Sequence, residues 1–405
     1  MSEQPAKSFF KSWTYALFWV SSLLSNIGTW MQQVAQPWLV LNLSNSAMWV
    51  GIDSFALNVP GLLFTLPGGI MADRFERKRL ILFFQAIQFA CIILLVVLVA
   101  LGWIKVWMIV CISFVVGLTD SLSTPAFQTI IPSIVNAKDI PTAVSLNSTQ
   151  FNLSRLLGPA LAGMVIARFG SLTCFAINAA SYIPFFISIF LIYPKNGTAK
   201  SQVPVTEKEN TGSSSLAELI RKPLIRLPIF TTLFNSLFCS SLITFCPVLI
   251  KNVFNADTNA FGWAMAAFGL GGLAGAGITF TPIPALLQRN RFANLIAILL
   301  AVVVVMVSLN KQLLFLNVLL ILAGALLTAS NISVNTFLQE HADNNQRGRI
   351  AGLFQLALFG GISAGSLITG FVVSKFGINN ALLANGILGI MAQLLLFFRQ
   401  FRIKV

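Results

Sequence analysis

Gly69-Ile-Met-Ala-Asp-Arg-Phe-Glu-Arg-Lys-Arg-Leu80 is the stretch that decides how this chain is read. One long apolar run precedes it and another follows. Four cations, Arg74, Arg77, Lys78 and Arg79, stand between the runs beside Asp73 and Glu76. A loop this short between two membrane-length helices lies at a bilayer surface. Lys and Arg in short loops mark that surface as cytoplasmic.

The rest of the chain agrees with a membrane setting. Of its 405 residues 56% are hydrophobic and only 9% are charged, against about 25% charged in an average soluble chain. No soluble domain could cover so much apolar surface, so the chain is read as an integral membrane protein. Its net charge of +14 points to anionic lipid rather than nucleic acid. No basic stripe with interleaved aromatics occurs, so no nucleic-acid partner is expected. The polar start, with Lys7 and Lys11, lacks a cleavable-signal pattern, and the first apolar run is expected to be retained as a helix.

Enzyme chemistry finds no footing. Cys91, Cys111, Cys174, Cys239 and Cys246 all fall in apolar segments without metal spacing, and their odd count argues against a disulfide framework. The single histidine, His341, has no partner for a metal or proton-wire site. No phosphate-cradling Gly-Lys-Ser/Thr loop is present, and one histidine in a polar loop cannot complete a Ser/His/Asp set. No enzyme activity, cofactor or metal is expected.

Apolar runs of roughly 18 residues or more, each enough to cross a bilayer, place spans at about 13–41, 48–72, 79–101, 104–127, 141–168, 171–193, 226–251, 260–287, 292–309, 313–339, 350–375 and 379–400. The expected fold is therefore all-α, with twelve transmembrane helices in two bundles. The divisions are 1–193 for the N-terminal bundle, 194–225 for a polar cytoplasmic linker and 226–405 for the C-terminal bundle. A surface helix is expected near 216–220. Twenty of the 26 Lys and Arg residues fall in one set of loops, five in the other, and Arg155 lies within a span. Both termini are thus expected on the cytoplasmic side. Trp38, Trp49, Trp103, Trp107 and Trp263 cluster at the opposite ends as an aromatic belt. Gly158, Gly163, Phe169-Gly170 and Asn178 recur as Gly365, Gly370, Phe376-Gly377 and Asn385 at one interval of 207 residues. Matches in a single register across helix, loop and next helix indicate a duplicated, pseudo-symmetric pair of halves.

Gly69, Asp73, Arg74, Arg77 and Lys78 fit G-x-x-x-D-R-x-G-R-[RK], and here the chain resembles the major facilitator superfamily. Glu76 stands where that pattern has glycine. Asn152-Leu-Ser-Arg155-Leu-Leu-Gly158-Pro159-Ala-Leu-Ala-Gly163, Pro125-Ala-Phe-Gln-Thr-Ile-Ile-Pro132, Ser145-Leu-Asn147 and Arg347-Gly-Arg349 are similar to the enterobactin-exporter-like branch, which exports siderophores and drugs. Asn335-Thr-Phe-Leu-Gln-Glu340 is similar to lysophospholipid transporters of the same superfamily. The resemblance implies a secondary transporter of a bacterial-type inner membrane. It would export an organic amphipathic solute by alternating access and proton antiport, with lysophospholipid flipping as the alternative. It also implies that the first motif is a conformational latch. The partners expected are a small-molecule substrate, protons and membrane lipid, and the protein is expected to be a monomer.

In the superfamily the first, fourth, seventh and tenth helices line the cavity, and here those four carry polar stripes. They include Asn26, Thr29, Gln33 and Gln36, then Thr124, then Asn235, then Asn331 and Asn335. Residues at three- and four-residue steps share one helix face. The Gly-rich eighth and eleventh spans are expected to form sliding contacts between halves, with a pure packing role equally compatible. Asp53, Asp120 and Arg155 are the ionisable side chains placed well within spans. Asp53 is expected near a hydrated outer mouth. Asp120 and Arg155 lie roughly 20 Å below the outer surface on neighbouring helices, a depth that permits an ion pair. All three are candidates for proton coupling, and the rival role for Asp120 is structural, reaching the latch through Arg77.

Overall fold

The computed structural model describes residues 13–135, 139–191, 216–279, 289–342 and 346–401, and among these there are helices and no strands. The first half holds α1 (Trp13–Ser44), α2 (Ala47–Arg74), α3 (Arg77–Ala100), α4 (Val106–Ile134), α5 (Ile140–Phe169) and α6 (Ser171–Leu191). The second holds α7 (223–252), α8 (Thr258–Thr279), α9 (Arg289–Leu309), α10 (Leu313–Glu340), α11 (Arg347–Phe376) and α12 (Ile378–Phe401). Ten of the twelve are long and apolar enough to cross a membrane. The exceptions, α1 and α5, carry too many polar side chains to reach that threshold by composition. Yet they are 32 and 30 residues long and pack within the same bundle.

The seventh span is not one continuous helix. It runs as Pro223–Phe234, a π-helical turn at Asn235–Cys239, a short helix at Ser241–Thr244 and a last piece at Cys246–Asn252. Pro247 has no N–H to continue a helical ladder, and a π turn admits an extra residue, so both interrupt the rod. The last part of the linker is better packed than a surface helix would be. Leu219, in the helix Leu216–Arg221, is fully buried with Ile225, Ala293, Leu338 and Ile350 of the second half. Residues 192–193 of the predicted sixth span, 194–215 of the linker and 280–287 of the predicted eighth span lie outside the described residues.

The two halves repeat one packing scheme. α2 packs on α4 and α8 on α10; α1 packs on α5 and α7 on α11; α3 packs on α6 and α9 on α12. The repeated sequence marks explain why. Gly170 and Gly377 cap α5 and α11 with φ of 78° and 81°, a conformation that favours glycine, and their N–H groups donate to Ile166 O and Val373 O. Asn178 Nδ2 donates to Gln32 Oε1 at 2.6 Å, tying α6 to α1. Asn385 Nδ2 donates to Ser241 Oγ at 2.8 Å and Thr369 Oγ1 at 2.9 Å, tying α12 to α7 and α11.

Candidate functional site

The halves meet along two seams, α2 with α11 and α5 with α8. Each seam is tight at the end opposite the basic loop and loosens towards it. A Cβ on Gly51 would stand 2.5 Å from Ser366 O, and one on Gly262 would stand 2.5 Å from Gly163 O. Further along, Gly360 meets Leu62 at 3.2 Å and Gly272 meets Leu156 at 3.3 Å. At Gly69, Gly277 and Gly352 nothing lies within 4 Å. The halves therefore splay apart like a V. Gly271 and Gly275 do not serve these seams, since they bring α8 onto α10 within one half, as Gly361 and Gly365 bring α11 onto α7. The expectation that the glycines of α8 and α11 join the halves holds only for those facing α5 and α2.

Polar contacts reinforce the tight end. Ser54 Oγ donates to Ser366 Oγ at 2.9 Å across the α2–α11 seam. Lys251 Nζ, at the end of α7, donates to Asn42 Oδ1 at 3.1 Å and Asn45 Oδ1 at 2.8 Å. Trp38 is not a belt residue: it is 4% exposed and stacks on Phe261 of α8 at 4.8 Å. Trp49, Trp103, Trp107 and Trp263 are exposed, as residues of a belt would be.

Asp53 is not at a hydrated mouth. It is 4% exposed, inside the first half. Gln36 Nε2 donates to its Oδ2 at 2.8 Å and Ser113 Oγ to its Oδ1 at 2.6 Å. Gln32 Nε2 donates in turn to Gln36 Oε1 at 3.1 Å, and Asn178 to Gln32. Three amides from α6 and α1 thus point their donors, in series, at one carboxylate. Gln36 consequently lies within the first half rather than on a cavity wall. Asn235 is buried too, with both amide atoms unpartnered among the described residues.

Between the parted ends of the halves, Gln33 and Asp120 are exposed in mid-span, while Asn26, Thr29, Thr124 and Asn335 are half-buried and Asn331 is 6% exposed. Asp120 and Arg155 do not form the expected ion pair. Arg155 instead lies over the Trp30 ring at 5.7 Å, and a salt bridge at the basic loop joins Arg79 to Glu76 at 2.6 Å. Gly158 explains the placement, because a Cβ there would collide with Trp30. The close α1–α5 approach carries the ring to the arginine.

At the basic loop, Glu76 precedes α3 and pairs with Arg79 in its first turn, while Lys78 Nζ donates to Phe190 O at the end of α6 at 3.1 Å. Arg74 ends α2, and Arg77 begins α3. The side chains of Asp73 and Arg347 lie outside what the structure describes. The five cysteines are free thiols, three of them buried.

Two six-helix halves around a polar cleft sealed at one end define a membrane transporter for small molecules. Residues 6–404 match the family described as "Transmembrane secretion effector", and the chain belongs to that family of the major facilitator superfamily. It is 24% identical over 392 residues to the "Staphyloferrin A transporter" of Staphylococcus aureus, covering 96% of each chain. It is 22% identical over 371 residues to the "Multidrug efflux pump Tap" of Mycolicibacterium fortuitum, covering 90% of each. Its fold is that of a solved D-xylose-proton symporter, with a TM-score of 0.73 and 15% identity over 96% of this chain and 97% of that one.

Proposed function

We propose that this protein exports an organic, amphipathic solute, a siderophore or drug-like metabolite, across a bacterial-type inner membrane by alternating access with proton antiport. The observation that carries this reading is the one-sided splay of the seams, tight at Gly51 and Gly262 and open at Gly69 and Gly277. Two packed seams with small residues at the contact can exchange one closed end for the other. The loop cations support a cytoplasmic open end and cytoplasmic termini, and in this reading the form is inward-open. The names of the multidrug efflux relative and of the family support export, and that of the staphyloferrin A transporter supports transport of such a metabolite.

Asp120 is the proton carrier in this reading. It is a carboxylate exposed in mid-span, where a charge is otherwise costly. Asn26, Thr29, Gln33, Thr124, Asn331 and Asn335 supply neutral polar contacts to the solute. Gly69, Asp73, Arg74, Arg77 and Lys78 act as the cytoplasmic latch, which closes when the cavity faces outward. The unit is a monomer in contact with lipid. In inside-out vesicles with an imposed pH gradient, the wild type accumulates a fluorescent solute. Asp120→Asn abolishes that accumulation but keeps downhill exchange. Full gradient-driven uptake by the variant would end the assignment of Asp120.

A further inference from the structure

We infer that Arg155 and Trp30 form a recognition site for an organic anion, a carboxylate carried on a flat group, within the cavity. A guanidinium is always charged and offers five donors in a planar fork that matches a carboxylate. A charge in mid-span calls for a partner. Arg155 is half-buried, with no acidic side chain in salt-bridge reach among the described residues, Asp120 included. Its one described contact is the Trp30 face at 5.7 Å. That contact orients the fork without supplying a counter-charge.

The surroundings define the rest of the ligand. Phe151 stands edge-on to Trp30 at 6.2 Å and 67°, and is itself 38% exposed. Asn26 and Gln33 lie four residues before and three after Trp30, on the same face of α1. One end of the cavity thus offers an aromatic platform, a cationic fork beside it and amides to either side. A planar ring can lie on the aromatics while its carboxylate takes the two parallel N–H donors of the fork. Among the described residues no carboxylate competes for those donors, so the site is ready for a cytoplasmic anion.

This inference deepens the export reading by naming the solute's charge, but it is tested by binding alone. The probes are 5-carboxyfluorescein and rhodamine 6G, which share a xanthene ring and carry opposite charge. Their polarisation with purified, full-length protein gives two dissociation constants and one ratio. Arg155→Gln is expected to shift that ratio against the anion by about tenfold to a hundredfold, the loss that follows removal of a charged hydrogen-bond donor. Arg155→Lys keeps the charge but not the fork and is expected to fall between. An unchanged ratio in Arg155→Gln, or a wild type that binds only the cation, would overturn the site. Should Arg155→Gln bind neither dye, Arg155→Lys decides, and a wild-type ratio there would count against the fork. A ratio that shifts as expected in a protein that moves neither dye would sink export and leave the anion site standing.

Discussion

Adding one methyl group to a seam tests whether the sealed end is a real energetic barrier. In Gly262→Ala the new Cβ would lie 2.5 Å from Gly163 O, 2.7 Å from Ala167 N and 2.8 Å from Ala167 Cβ. Two of these neighbours are backbone, so no side chain can swing aside, and α5 and α8 must separate by several tenths of an ångström. Overpacking of this kind costs about 1–3 kcal/mol. The cost falls on the form with this end closed, because the seam is parted in the opposite form. The equilibrium should therefore move towards the outward-open form by about 5- to 150-fold. Ala266→Cys, placed in a cysteine-free background, reports the change, since Ala266 is 5% exposed and backs onto Gly163. A membrane-impermeant maleimide added from outside should label it faster by a comparable factor in the Gly262→Ala protein. Gly277→Ala is the control, with nothing within 4 Å of its Cβ position. Equal labelling in Gly262→Ala and wild type, or equal acceleration by the control, would refute the seal.

Gly51→Ala should act in the same direction through Ser366 O, and its effect should add to that of Gly262→Ala because the seams share no partner; transport assays on the double variant check this. Lys251→Met removes the amide contacts to Asn42 and Asn45 and should raise labelling at the sealed end a few-fold, less than either glycine change, since the contact is exposed. Asp53→Ala leaves the Ser113 hydroxyl without its acceptor and Gln36 Nε2 with Ser113 Oγ alone, at about 1–3 kcal/mol for an unsatisfied buried group. Its melting temperature in detergent should fall, and a melt like the wild type's would count against the amide series. Glu76→Gly loses only the exposed pair with Arg79, worth about 1 kcal/mol at most, and should transport normally. Loss of transport there would show that the latch depends on this carboxylate.

The membrane class, the twelve spans, the duplication and the family were all legible along the chain. Each depends on a one-dimensional signal: run length, the sidedness of Lys and Arg, or a repeated register. Gly170 and Gly377 show how far that goes, since a capping glycine acts on its own helix and needs no knowledge of neighbours. Lateral relationships were not legible. Depth along a helix placed Asp120 beside Arg155, but depth says nothing about rotation. The Gly158 contact turned Arg155 onto Trp30 instead. The polar stripe of α1 likewise divides between two neighbours. Gln36 joins Asp53 inside the half, whereas Gln33 faces open space. Gly262 and Gly271 look alike in sequence, yet one meets the other half and the other meets α10. For ten of the twelve spans, entry into the bilayer follows from the summed hydropathy of the run, while α1 and α5 are carried by their length and by the helices packed around them. Which polar groups face one another and which end is closed could be read from the fold alone, because close packing of one helix face against another fixes both.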